Sequence, residues 1–102
     1  MNEVTVTPRE GEIVVSLSGE IHSGNADEFL SEVTNAYRAA PGNIVFRCAG
    51  LSFIDSTALG TFVKIRKMAA QDGFVVRLQE VQPRIKKLFL ICRLDLIMEI
   101  EE

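Results

Sequence analysis

Apolar and polar residues alternate in two short segments near the start of the chain. Residues 4–7, and then Ile13, Val15 and Leu17, follow the two-residue period of a β-strand. The stretch between them, residues 8–11, contains Pro and Gly and predicts a tight turn. The pattern therefore predicts an antiparallel β-hairpin.

Three later segments have the 3.6-residue period of an amphipathic helix. The first begins at Asn25, which has Glu28 three residues later at the spacing of a capping box. The second begins near Thr57, and the third opens at Pro83, which a first turn tolerates. The predicted apolar positions are Ala26, Phe29, Leu30, Val33, Tyr37 and Ala40 in the first helix, Leu59, Phe62, Val63, Ala69 and Ala70 in the second, and Ile85, Leu88, Phe89 and Cys92 in the third.

Apolar runs between these helices predict buried strands at residues 43–48 and 74–78, and an edge strand at residues 96–100. A short connection at residues 49–50 is expected before residues 51–56 lead into the second helix. The order is β-β-α-β-α-β-α-β, which predicts one α/β domain over residues 1–102. Its mixed β-sheet combines a hairpin with parallel pairing through right-handed crossovers, and the helices pack on it.

Composition narrows the functional classes. The 102 residues are 47% hydrophobic and 25% charged, with a formal net charge of −3, which argues against direct nucleic-acid binding. Cys48 and Cys92 lie in apolar stretches, and buried free thiols are expected. No apolar run is long enough for a membrane span, and no signal peptide precedes the first strand, so a soluble, cytoplasmic protein is expected. Neither a metal site nor a cofactor is expected.

Two segments are expected to meet at the carboxyl ends of the parallel strands, where α/β sheets place their functional crevice. Residues 19–24 follow the second strand, and Asp55, Ser56 and Thr57 begin the second helix. Asp, Ser and Thr are common helix caps, and capping alone explains them. The same helix terminus also has amides that could receive a phosphate carried by Ser56.

Enzymatic interpretations find little support in the sequence. Ile54 and Ala58 occupy the positions where a nucleophile elbow has glycines, so a Ser56–His22 hydrolase lacks its usual setting. Asp55 as a phosphoacceptor would need several carboxylates around a magnesium ion, and the first strand ends without an acidic pair. The chain is not expected to be an enzyme.

The sequence LSFIDSTALG at residues 51–60 closely resembles the signature of the STAS-domain anti-sigma-factor antagonists. The resemblance extends to LSGEI at residues 17–21 and PRIKKLF at residues 83–89. It implies a STAS-like fold and a partner-switching cycle. In this cycle, the unphosphorylated chain binds an anti-sigma-factor serine kinase and so frees the sigma factor. Phosphorylation of Ser56, or less favourably Thr57, ends that binding, and a metal-dependent serine phosphatase restores it.

The resemblance also implies a docking surface around the phosphorylation site. Two departures from the family pattern lie there: His22 stands where Asp is common, which suggests pH sensitivity near neutrality, and Ala58 replaces the commoner Gly. A non-switching STAS scaffold, or an accessory subunit of a lipid-transport ATPase, is the alternative function. The expected partner-binding residues are Glu20, His22, Ser23, Asp55, Ser56, Thr57, Thr61 and Lys64.

Overall fold

The protein is described by a computed structural model that covers residues 3–101. The predicted order of strands and helices is confirmed. The elements are β1 (Glu3–Arg9), β2 (Glu12–Ile21), α1 (Ala26–Ala39), β3 (Asn43–Ile54), α2 (Ser56–Gln71), β4 (Val76–Gln79), α3 (Pro83–Ile91), a 3-10 turn (Leu94–Leu96) and β5 (Glu99–Ile100).

The five strands form one mixed sheet in the order β1-β2-β3-β4-β5. β1 and β2 form the predicted antiparallel hairpin, and β2, β3, β4 and β5 pair in parallel. Alternate residues of the strands join the buried residues of all three helices in one hydrophobic core. The chain can bury this face because the strands supply apolar residues at a period of two and the helices at a period near 3.6.

Four phenylalanines connect the helices to the sheet at the centre of the core. The ring of Phe62 on α2 lies 5.0 Å from Phe46 on β3, 5.4 Å from Phe29 on α1 and 5.3 Å from Phe89 on α3, measured between ring centroids. The tilted and edge-on arrangements are those that aromatic rings favour. Phe62 therefore packs α2 against α1, β3 and α3 at the same time.

The prediction of a connection at residues 49–50 was wrong, because β3 runs without interruption from Asn43 to Ile54. The strand passes this point through Gly50, where an added Cβ would lie 3.0 Å from the carbonyl oxygen of Leu17. The register of β2 against β3 shifts here and again between Gly19 and Glu20. Gly19 has a positive φ of 89°, a conformation that favours glycine, and it bends β2 just before the loop that follows.

Other local predictions also need correction. The predicted edge strand at residues 96–100 is reduced to Glu99–Ile100, because residues 94–96 form the 3-10 turn. Asn25 precedes α1, but its side chain makes no capping hydrogen bond to the helix. Cys48 is buried, and burial raises its pKa to about 12. Cys92 is exposed at the end of α3, where the apolar stripe has already ended.

Candidate functional site

The carboxyl ends of β2 and β3 lie side by side and bring the two predicted segments together. Ile21 pairs with Ile54 in the last register position of the two strands. The loop at residues 22–25 follows β2, and α2 begins two residues after β3 ends. The two predicted segments therefore meet at the carboxyl ends of these parallel strands.

Asp55 is the residue that holds the two segments together. Its Oδ1 accepts a hydrogen bond of 2.9 Å from the backbone N–H of Ala58, so it is the N-cap of α2. Its Oδ2 accepts a second bond of 2.9 Å from the backbone N–H of Ser23 in the loop after β2. One carboxylate thus joins the helix start to the neighbouring loop.

These contacts favour the ionised carboxylate. The pKa of Asp55 is lowered, chiefly by the hydrogen bond from the Ala58 N–H. Desolvation opposes this as the second-largest effect, and the backbone N–H of Ser23, the nearby His22 and the backbone N–H of Thr57 lower the pKa further. Asp55 is therefore a fixed negative charge beside the side chain of Ser56.

Ser56 and Thr57 are exposed in the first turn of α2. The helix cap is Asp55, and not either hydroxyl side chain. The helix terminus was expected to have amides that could receive a phosphate on Ser56, and one of them, the amide of Ala58, already bonds to Asp55. A phosphate on Ser56 would have to share these amides with an adjacent carboxylate or extend into solvent.

The loop after β2 is held by its own side chains. The backbone N–H of His22 donates to Asn25 Oδ1 at 2.9 Å, and Asn25 Nδ2 donates to the carbonyl oxygen of Glu20 at 2.9 Å. The ring Nδ1 of His22 accepts from the N–H of Gly24 at 3.0 Å. Among residues 3–101 no hydrogen bond joins His22 to Ser56.

The remaining predicted partner-binding residues divide into two groups. Glu20, Ser23 and Lys64 are exposed. Thr61 was expected to bind the partner, which requires exposure, but it is only 5% exposed and its hydroxyl donates to the carbonyl oxygen of Thr57 at 3.0 Å. The apolar face of α2 is wider than predicted and includes this position, because a threonine can bury its methyl group while its hydroxyl bonds to the preceding turn.

Two exposed positions near the site were missed by the sequence analysis. Gly60 lies inside α2, and within residues 3–101 an added Cβ there would meet no heavy atom within 4 Å. Phe53, at the end of β3, is 47% exposed. The glycine inside a helical pattern was a readable signal, whereas the exposure of Phe53 depends on how α3 lies against β3.

Residues 3–101 contain no group of three or more His, Cys, Asp or Glu side chains placed to hold a metal ion. In the same part of the chain, no helix has both the length and the apolar character needed to cross a membrane.

The family model of the STAS domain matches residues 3–102. An anti-sigma-B factor antagonist of Bacillus subtilis (strain 168) is 33% identical over 98 residues, which is 95% of this chain and 88% of the relative. These matches define the class of the protein as a STAS domain.

Solved structures agree on the fold. An anti-sigma factor antagonist from Mycobacterium paratuberculosis matches with a TM-score of 0.83 at 21% identity, over 98% of this chain and 85% of that one. SpoIIAA matches in its unphosphorylated form with a TM-score of 0.77, over 100% and 88% of the two chains, and in its phosphorylated form with 0.71, over 100% and 92%, both at 16% identity. The chain belongs to the STAS-domain family of anti-sigma-factor antagonists.

Proposed function

We propose that this chain is a partner switch that phosphorylation of Ser56 turns off. In its unphosphorylated form it binds an anti-sigma-factor serine kinase and so releases the sigma factor. The carrying observation is the exposed hydroxyl of Ser56 in the first turn of α2, next to the fixed carboxylate of Asp55. In this proposal the chain is a substrate and binding partner, without catalytic activity, and it works in the cytoplasm, where the kinase has ATP.

Electrostatics supports the switch. A phosphate adds about 1.5 to 2 negative charges. On Ser56 these would lie beside Asp55, which is ionised and already bonded to Ala58 and Ser23. A partner that packs against a neutral hydroxyl would then meet a hydrated cluster of negative charge. Such a mismatch costs several kcal/mol at an interface, which weakens binding by about a hundredfold or more.

The fold is expected to survive this change. Ser56 is exposed, and Asp55 caps α2 without help from the Ser56 side chain. SpoIIAA, which shares the fold, has been solved in both unphosphorylated and phosphorylated forms. We therefore expect phosphorylation to change the surface and to leave the core in place, and a metal-dependent serine phosphatase to reverse it.

The docking surface proposed for the kinase consists of Glu20, His22, Ser23, Asp55, Ser56, Thr57 and Lys64, with Gly60 added. Glycine inside a helix costs about 1 kcal/mol relative to alanine. Nothing within residues 3–101 crowds Gly60, so packing inside the chain does not explain it. In this proposal, the close approach of a partner to the exposed face of α2 explains why the position is glycine.

The direct test uses candidate anti-sigma kinases with ATP, followed by localisation of the phosphate by mass spectrometry. We expect phosphate on Ser56 in the wild type and in Thr57→Ala, and none in Ser56→Ala. In a quantitative binding assay, Ser56→Ala should bind the kinase constitutively and Ser56→Asp at least about a hundredfold more weakly. Phosphate on another residue, or equal binding by both variants, would contradict the switch.

A non-switching STAS scaffold or accessory subunit is the second candidate. It is favoured by large exposed apolar side chains, among them Ile91 at 66% and Leu96 at 69% exposure. The same assay separates the two functions, because a scaffold would bind its partner equally well with Ser56→Asp and with Ser56→Ala.

A further inference from the structure

The last part of β3 has an open edge. β4 pairs with β3 only from Ile44 to Arg47, whereas β3 continues to Ile54. Within residues 3–101 no other strand pairs with β3 on that side. The side chain of Gln82 donates to the carbonyl oxygen of Ala49 at 3.1 Å and covers the beginning of this edge. Beyond that point the edge faces α3 across a groove.

The groove has a volume of about 360 Å³ and lies between the end of β3 and one face of α3. Its apolar surface is formed mainly by Phe53, Leu88 and Ile91, and Phe53 and Ile91 are 47% and 66% exposed. Exposed apolar side chains that adjoin one another are a feature of interaction sites.

The charge at the groove is opposite to that of the whole chain. Arg84 and Lys87 line it, and its lining contains no Asp or Glu. The whole chain has a formal net charge of −3. An occupant with negatively charged groups flanking apolar ones would therefore be attracted to the groove and oriented in it.

We propose that this groove binds an extended segment of a partner protein, which adds to the edge of β3 as a further strand and carries aliphatic side chains flanked by acidic ones. The open backbone edge supports a peptide over a lipid, because the N–H and C=O groups of a strand are matched by another backbone. Aliphatic side chains of the segment would contact Phe53, Leu88 and Ile91, and its carboxylates would pair with Arg84 and Lys87. The proposal goes beyond the Ser56 switch and does not depend on it.

The test uses the ¹⁵N-labelled full chain and two blocked hexapeptides. In one, a glutamate stands at each end of four valines, and in the other, lysine replaces glutamate. We expect the acidic peptide to shift the amide resonances of residues 52–54 and of α3 in a saturable manner. Lys87→Glu should weaken binding of the acidic peptide at least about tenfold and should strengthen binding of the lysine peptide, since the charge pair is reversed.

Two controls distinguish peptide binding in the groove from a general effect of charge and from lipid binding. Lys67→Glu makes the same charge change at an exposed position of α2 outside the groove, and it should leave binding of the acidic peptide within about twofold. Laurate is the probe for a lipid occupant. The proposal is overturned if the acidic peptide gives no saturable shift at residues 52–54. It is also overturned if Lys67→Glu weakens binding of the acidic peptide as much as Lys87→Glu does, or if laurate alone produces the shifts.

Discussion

Asp55 stabilises two segments of the fold and places a charge beside Ser56. It caps α2 through Ala58 and fixes the neighbouring loop through the backbone of Ser23. The same bonds lower its pKa, so the charge next to Ser56 is maintained in the folded protein. The residue that stabilises the site therefore also sets the electrostatic background against which a phosphate on Ser56 would act.

The lowered pKa predicts an acid-dependent loss of stability. Because the folded-state pKa of Asp55 lies below the unfolded value of about 3.9, its contribution is complete above that pH and is lost as the pH falls through the folded-state pKa. The slope of Tm against pH between pH 5 and pH 2 should be shallower in Asp55→Asn than in the wild type. Ser23→Ala should keep the wild-type slope, since its backbone N–H donates the bond. Equal slopes in Asp55→Asn and wild type would contradict the prediction.

At the scale of elements, close backbone contacts decide how the strands and helices join. Gly42 precedes β3 and lies against the β1–β2 turn, where an added Cβ would be 2.7 Å from the carbonyl oxygen of Gly11. That oxygen also accepts a hydrogen bond of 3.2 Å from the N–H of Asn43. Gly60 in α2 is the opposite case, because the space around it is open.

The same change, glycine to alanine, should therefore have opposite effects at these two positions. Gly42→Ala should lower the free energy of unfolding by about 1–3 kcal/mol, because backbone must move to admit the methyl group. Gly60→Ala should raise it by about 0.5–1 kcal/mol through helix propensity. Urea denaturation measures both. If the kinase approaches Gly60 as proposed, Gly60→Ala should also bind the kinase more weakly, in spite of its greater stability.

At the scale of the molecule, a buried and an exposed phenylalanine have different roles. Phe62 is fully buried and contacts aromatic rings from α1, β3 and α3, whereas Phe53 is exposed in the groove beside α3. The buried ring holds the layers together, and the exposed ring is available to a partner.

Removal of each ring tests this division. Phe62→Ala should lower the free energy of unfolding by about 3–5 kcal/mol, a large share of the stability of a domain of this size. Phe53→Ala should change it by no more than about 0.5 kcal/mol and should instead weaken the acidic peptide in the groove. Guanidinium denaturation of the two variants gives the comparison. A large loss of stability in Phe53→Ala would show that the ring is part of the core.

The sequence predicted local features well where the local pattern and the packing agree. The hairpin, the three helices and the order of elements follow from apolar periodicity together with Pro, Gly and polar turn residues. It failed at residues 49–50, which have turn-like composition but lie within β3, and at Thr61, whose burial depends on the width of the helix face in contact with the sheet.

What the sequence determined by itself is the alternation of strands and helices and the residue types at the start of α2, since both depend on neighbours along the chain. Tertiary structure alone decided that Asp55 bonds to Ser23, that Thr61 is buried and that the end of β3 is left open beside α3. These features join residues far apart in sequence or depend on where a neighbouring strand ends. A local sequence pattern contains neither kind of information.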